Sequence, residues 1–349
     1  MGNAATLNTP HTPGISRDFW RLNEYIGAVT WNRAGTHAAV GLSEGRVMIL
    51  DGTRFGELGL VGVEVSEGPI LALICDHDPE GWLMGTDDGR LLRLKPQGGV
   101  EVLMHAPGEW IESIASHRSG WRCAAVRNRV HLFDAAGKEC LQLGPHDSTV
   151  AGICFDGSGS SIATAHYQGV SLWTWNGKLE CRRLVFPGSH LSVSWSRDDR
   201  FIATSTQEKE VHVWDLVEGE DMRMSGYYFK VKAMSWTADG HWLVTSGADA
   251  AIGWGFEGKG PQGKPPKMFG PHTEGYVSFV ACHPELPLVA IGFADGAVEI
   301  STLRNQKVAK PVIPPNGQPV TQLAWCPSGS QLLCGTKEGV LTLLTFRNE

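Results

Sequence analysis

The chain has 349 residues, 42% of them apolar and 19% charged, which is enough to bury a sizeable core. Its formal net charge is −7 and no basic run appears, which argues against nucleic-acid binding through phosphate contacts. High Gly (43) and Trp (13) favour an all-β chain with many turns, and no apolar run reaches 18 residues, so neither a membrane span nor a membrane partner is expected.

Residues 1–15 carry little that can be buried and read as a mobile tail. They have neither the basic start nor the apolar core of a secretory signal. The opening MGNAAT superficially fits a myristoylation pattern, without a supporting polybasic segment. Residues 17–23, RDFWRLN, have strand-like apolar content. From Tyr25 onward one grammar repeats: an apolar strand, a polar turn, a second strand, a tight turn and a third strand. YIGAVTWNRAGTHAAVGLSEGRVMILD is the first copy, SHLSVSWSRDDRFIATSTQEKEVHVWDL (residues 189–216) the clearest, and PVTQLAWCPSGSQLLCGTKEGVLTLLTF the last.

Eight copies share one register. Their first strands end at Trp31, Cys75, Ser116, Phe155, Trp195, Trp236, Cys282 and Trp325, spaced by 44, 41, 39, 40, 41, 46 and 43 residues. Two positions earlier all eight residues are apolar. Five positions earlier seven are β-branched aliphatics, and His190 is the exception. Segments such as GGVEVLMHA and KLECRRLVF between copies read as a fourth, outer strand. Four strands at this period are the signature of a propeller blade. The expected fold is all-β: a single β-propeller over residues 16–349 with eight four-stranded blades. Seven is the alternative, with 110–134 the weakest copy. The last copy leaves no room for its own outer strand, so RDFWRLN is expected to close the ring by pairing there.

With these residues on the page, the chain resembles the WD-repeat β-propeller family, over roughly residues 16–347, in the form of a degenerate bacterial member. The family's third-strand Trp-Asp is complete at Trp214-Asp215, while Trp173 and Trp254 keep the aromatic alone. Its Gly-His survives as GPH at His146 and His272, and its tight-turn acid at Asp88, Asp249 and Asp295. No copy carries the whole His, Ser/Thr, Asp, Trp set, so the blades are expected to rely more on packing than on that hydrogen-bonded network. The resemblance implies a protein-interaction role without catalysis.

The chemistry-bearing residues fit that expectation. CDHD (Cys75, His77) and CHPE (Cys282, His283) contain competent metal ligands, but each falls in a different copy, without CxxC or HxxxH spacing. They are the weak metal candidates, and no metal is assigned. GxSxG, GxxxxGK[ST], GxGxxG after a strand and the tryptophan-docking repeat of eight-bladed quinoproteins are all absent, so neither catalysis nor a cofactor is expected. The eight Cys form no tight framework and read as reduced, buried thiols in a cytoplasmic protein. EGKGPQGKPPK (257–267) reads as a long loop between the third and fourth strands of unit six.

The residue before each first strand lies at the mouth of the central channel. Tyr25, Trp110, Lys230 and Tyr276 stand in this column and His190 beside it. Rim aromatics commonly anchor protein partners, so these five are the candidate binding residues. The expected function is a rigid, non-catalytic scaffold for protein partners. The alternatives are a metal-handling accessory protein using the Cys/His turns, and an enzyme with its site over the channel.

Overall fold

A computed structural model describes residues 14–53, 59–175, 177–270, 275–303 and 311–346, and every regular element in them is a β-strand. The second strands, such as Trp82–Thr86, Phe201–Thr206 and Gln331–Thr336, are the most deeply buried, and each first strand or the residue leading into it adds one buried column. Ile26, Ile70, Ile111, Val150, His190, Val231, Val277 and Val320, the column five residues before the strand end, are all under 5% exposed. Burial there removes apolar surface from water where adjacent sheets face each other. The turns between second and third strands need φ > 0, which glycine adopts without strain. Gly45, Gly89, Gly296 and Gly339 supply it in four units, while Arg127, Gln168 and Lys209 hold the same conformation in units three to five.

The residues at the ends of the first strands tie neighbouring units together. Trp31 Nε1 donates to Ala324 O (3.1 Å), Ser116 Oγ to Cys75 O (2.8 Å) and Trp195 Nε1 to Cys154 O (3.1 Å). Trp236 Nε1 donates to Ser194 Oγ (3.0 Å), Cys282 Sγ to Ser235 O (3.4 Å) and Trp325 Nε1 to Ala281 O (3.0 Å). Six of the eight units donate in this way to the one before, unit one to unit eight, whereas Phe155 of unit four has no polar group to donate. This explains why Trp, Ser and Cys fill most of that column: the position favours a donor on a largely apolar side chain.

Hydrogen bonding joins the described strands into seven sheets, the alternative count, and not the eight expected: five of four strands, one of six and one of three. The copy over 110–134 is not the missing one, because its strands form a four-stranded sheet of their own. The difference arises at units four and five. Strands Ser161–Trp175 and Leu179–Trp195 run through bends and carry both units in the six-stranded sheet. The pair Tyr167–Ser189 continues the ladder where the other units have a loop, so no break separates the two. Unit seven shows three strands plus the bridge Val298–Ile313; its expected outer strand falls on residues outside the described ones.

The expected closing strand is present. Ile15–Arg21 pairs antiparallel with Val340–Phe346, from Ile15–Phe346 to Arg21–Val340. Trp20 and Leu22 pack against the cluster that contains Ile26, Leu341 and Leu343. The expected tail, residues 1–15, lies outside the described residues as far as Pro13.

Trp214, in strand Val211–Asp215, is 5% exposed and packs on Ala163, Ala165, Val170, Leu184 and Ile202, across the join of units four and five. Trp214→Ala is expected to cost about 3 kcal/mol, because the small alanines facing it cannot collapse into the space. Chemical denaturation of the variant checks this, and an unchanged midpoint would place the indole outside the core. Asp215 holds Arg200 through both carboxylate oxygens and accepts the Val217 and Glu218 amides, so it fixes the turn that follows.

Candidate protein-binding face

In an antiparallel meander, the residues before each first strand and the turns between second and third strands share one end of the sheets. Main-chain bonds stitch these together: Gln207 N donates to Ser189 O, Ala294 N to Tyr276 O and Lys337 N to Pro319 O, each within 3.0 Å. Tyr25, Trp110, Lys230 and Tyr276 therefore lie on one face. Tyr25 and Lys230 are exposed, Trp110 is 65% exposed, and Tyr276 is half-buried. Trp110 borders a cavity of about 220 Å³ with Glu112 and Thr149, beside an ion pair between Arg127 and Glu109 (2.7 Å).

Three further aromatics share this face and were not singled out in the sequence. Tyr167 lies in the second-to-third turn of unit four, and Tyr228 and Phe229 precede unit six; all are exposed, Tyr228 by 67%. Phe229 stacks on Tyr276 with ring centroids 4.3 Å apart and planes 26° from parallel. The signal for Tyr228 and Phe229 was legible in GYYFK, but the rim was read at a single register position and these two stand one or two places before it.

His190 is not part of the rim surface. It is 1% exposed, with Nδ1 2.8 Å from Thr204 Oγ1 and Nε2 3.1 Å from Phe186 O. Burial pushes its imidazole below the usual histidine range. A His faces these partners because the column is buried in every unit, and a polar residue there must find its hydrogen bonds inside. The expectation of a contact residue gives way to an internal one.

The polar partners of His190 belong to a recurring arrangement. In unit four His146 Nε2 lies 2.9 Å from Thr164 Oγ1, and Trp173 Nε1 donates to the same nitrogen at 3.2 Å. In unit six Tyr227 takes the place of the histidine: its hydroxyl lies 2.7 Å from Thr245 Oγ1 and accepts from Trp254 Nε1 at 2.7 Å. Both sets repeat the spacing 18 then 9. In unit five Phe186 occupies that place, and His190 reaches Thr204 from the first strand instead. Trp173 and Trp254, which lack the following Asp as expected, thus still keep part of the hydrogen-bonded network. His272 lies outside the described residues. Residues 182–215 and 222–252, which span much of units five and six, match the family described as WD domain, G-beta repeat, and residues 280–349 match the Anaphase-promoting complex subunit 4 WD40 domain.

These stretches carry the repeats of the WD-repeat β-propeller family.

This propeller is also similar to Autophagy-related protein 18 of Candida glabrata, with 33% identity over 86 residues. The match covers 23% of this chain and spans only 17% of that protein's length.

The Cys and His candidates do not come together on the propeller. Cys282 is engaged with Ser235, and burial pushes its thiol up to about 12. His283 Nδ1 accepts the Glu285 and Leu286 amides (3.1 and 2.9 Å), and its Nε2 donates to Gly329 O at 3.2 Å. Burial likewise raises the Cys75 thiol, and His77 lies against Asp76 and Arg122. Among the described residues no group of three or more His, Cys, Asp or Glu is placed to hold a metal ion.

The opposite face of the propeller has a buried charge centre under the same turn. Asp76 is 1% exposed and receives Arg122, itself fully buried, through Nε (2.6 Å) and Nη2 (2.9 Å). Arg93 reaches it at 3.2 Å, and Arg33 binds its main-chain oxygen. Burial pushes the Asp76 carboxyl up, but the Arg122 hydrogen bonds and charge outweigh it, and the group lies below the usual carboxylate range. The 257–267 loop also lies on this face. Lys264 is bonded to Glu257 O at 2.7 Å, and Lys267 sits 4.4 Å over the Trp242 ring.

Proposed function

We propose that this propeller is a non-catalytic scaffold that binds a protein partner on the face carrying Tyr25, Trp110, Tyr167, Tyr228, Phe229 and Tyr276. The observation that carries the reading is the gathering of six aromatic side chains at one end of a closed, stiff frame. Rigid side chains lose little freedom on binding, so aromatic surface presented in this way converts efficiently into affinity. One matched family is by name a subunit of a complex, which supports an assembly role. The eight cysteines are all free, which supports a reducing, cytoplasmic setting.

The test is recovery of the partner from the native host with tagged protein, followed by affinity measurement on Tyr25→Ala, Trp110→Ala and Tyr276→Ala. Each variant is expected to bind about thirtyfold more weakly, the loss of about 2 kcal/mol typical of an aromatic anchor. Tyr25 and Trp110 carry the decision because they are exposed, and melting is checked first. Wild-type affinity in all three would move the partner to the other face, where Lys259 is the residue of the loop to vary next.

A further inference from the structure

On the scaffold reading above, the partner's chemistry is legible in one quadrant of the face. Exposure alternates from residue 230 to 234, so Lys230, Lys232 and Met234 line one side and Val231 and Ala233 are buried. Lys232 opens into a cavity of about 420 Å³ in the channel wall, whose other lining residues include Ser194, Ser235 and Phe279. Lys232 is the only charged side chain among the lining residues. Neither Lys230 nor Lys232 is ion-paired among the described residues.

The hydroxyls add to this. Ser194 Oγ accepts from Trp236 Nε1 (3.0 Å) and Ser235 Oγ accepts from the Cys282 amide (2.9 Å). A hydroxyl that accepts in this way keeps its own proton to donate. The cavity therefore offers one ammonium and two O–H donors, a set that suits a carboxylate. On the rim, three residues before Lys232 in the chain, stands the Phe229–Tyr276 stack, held from both units: Phe229 N donates to Gly247 O (3.0 Å), Gly247 N to Val277 O (3.2 Å) and Ala294 N to Tyr276 O (3.0 Å). The stack is preorganised to receive an aromatic ring.

We infer that units six and seven bind an acidic segment of a partner protein that carries an aromatic residue, the ring on the Phe229–Tyr276 stack and a carboxylate at Lys232, with Lys230 beside it. The positive charge is local in a chain of net charge −7, so it gives orientation as well as attraction.

The experiment titrates the intact protein with the peptide acetyl-Glu-Glu-Trp-Glu-amide, followed by NMR shifts of the protein. Its charge-reversed counterpart acetyl-Lys-Lys-Trp-Lys-amide, the Ala-for-Trp acidic peptide and free glutamate are the controls. The acidic tryptophan peptide should bind at least about tenfold tighter than each control, and added salt should weaken it. The double variant Lys230→Glu, Lys232→Glu should reverse the order of the two charged peptides, and Phe229→Ala should weaken the acidic peptide about tenfold. Both changes are at exposed positions, and melting is measured first. No binding at millimolar peptide, equal binding of both charges, or acidic binding that survives the double variant overturns the inference. Those results leave the scaffold reading standing. That reading fails separately, if Tyr25→Ala and Trp110→Ala leave the recovered partner's affinity unchanged.

Discussion

Removing residues 1–24 is expected to lower stability by on the order of 5 kcal/mol and to cause association. The strand Ile15–Arg21 closes the last sheet, and its loss exposes the outer edge of Val340–Phe346 along seven paired residues. Trp20 and Leu22 also leave the cluster they share with Leu341 and Leu343. The ring does not fall open entirely, because the inner seam is independent of this strand. Thr321 Oγ1 still donates to Ile26 O (2.8 Å), Gln322 Nε2 to Gly27 O (2.7 Å) and Trp31 Nε1 to Ala324 O (3.1 Å). The expected product is therefore a folded but weakened and sticky protein. Thermal melting with light scattering measures both effects. The control truncation stops at residue 14, before the first paired residue, and should melt with the intact chain. Equal melting of all three proteins would show that the strand contributes nothing.

Asp76→Ala is expected to cost about 5 kcal/mol, at the upper end for a broken buried pair. The reason lies less in the lost attraction than in what remains. Arg122 is fully buried and would keep its charge without a counter-ion. Arg93 would retain Glu101 at 2.9 Å and Asp78 at 3.8 Å, so the penalty concentrates on Arg122. The double variant Asp76→Leu, Arg122→Met removes both charges and should recover most of the loss. Denaturant midpoints of the two single variants and the double variant measure the coupling. Additive losses would mean that the two side chains do not depend on each other. The sign with pH follows from the depressed carboxyl: the contribution is present above the usual carboxylate range and fades as acid protonates Asp76.

The unit, its register and the closing strand were legible because each rests on a period that burial enforces. The column from Ile26 to Val320 is apolar for a reason visible in sequence, and even His190 obeys its burial. What the column of strand ends does was not legible: Trp31, Ser116 and Cys282 look unlike, and only the structure shows that they share a donor's task. The joined sheet of units four and five was hidden because continuity there depends on one main-chain pair, Tyr167–Ser189, which no side-chain pattern announces. Tyr227 was missed because a residue type was sought, while the 18 and 9 spacing to Thr245 and Trp254 carried the information. The candidate face was half legible. Tyr25, Trp110, Lys230 and Tyr276 came from one column, whereas Phe229 depends on a stack between two loops from different units.

The seam of strand-end donors has a kinetic side. Units three and five to eight each hang a donor on the strand made before it, so they can be added in the order of synthesis with the acceptor already in place. Unit one is the exception. Its Trp31 must wait for Ala324, 293 residues later, and its preceding strand Ile15–Arg21 for the last strand of all. Such distant contacts are slow to form and leave unpaired edges open meanwhile. Throughout synthesis the growing arc therefore has two unfinished ends, and it is when these meet that Val340–Phe346 gains its outer partner.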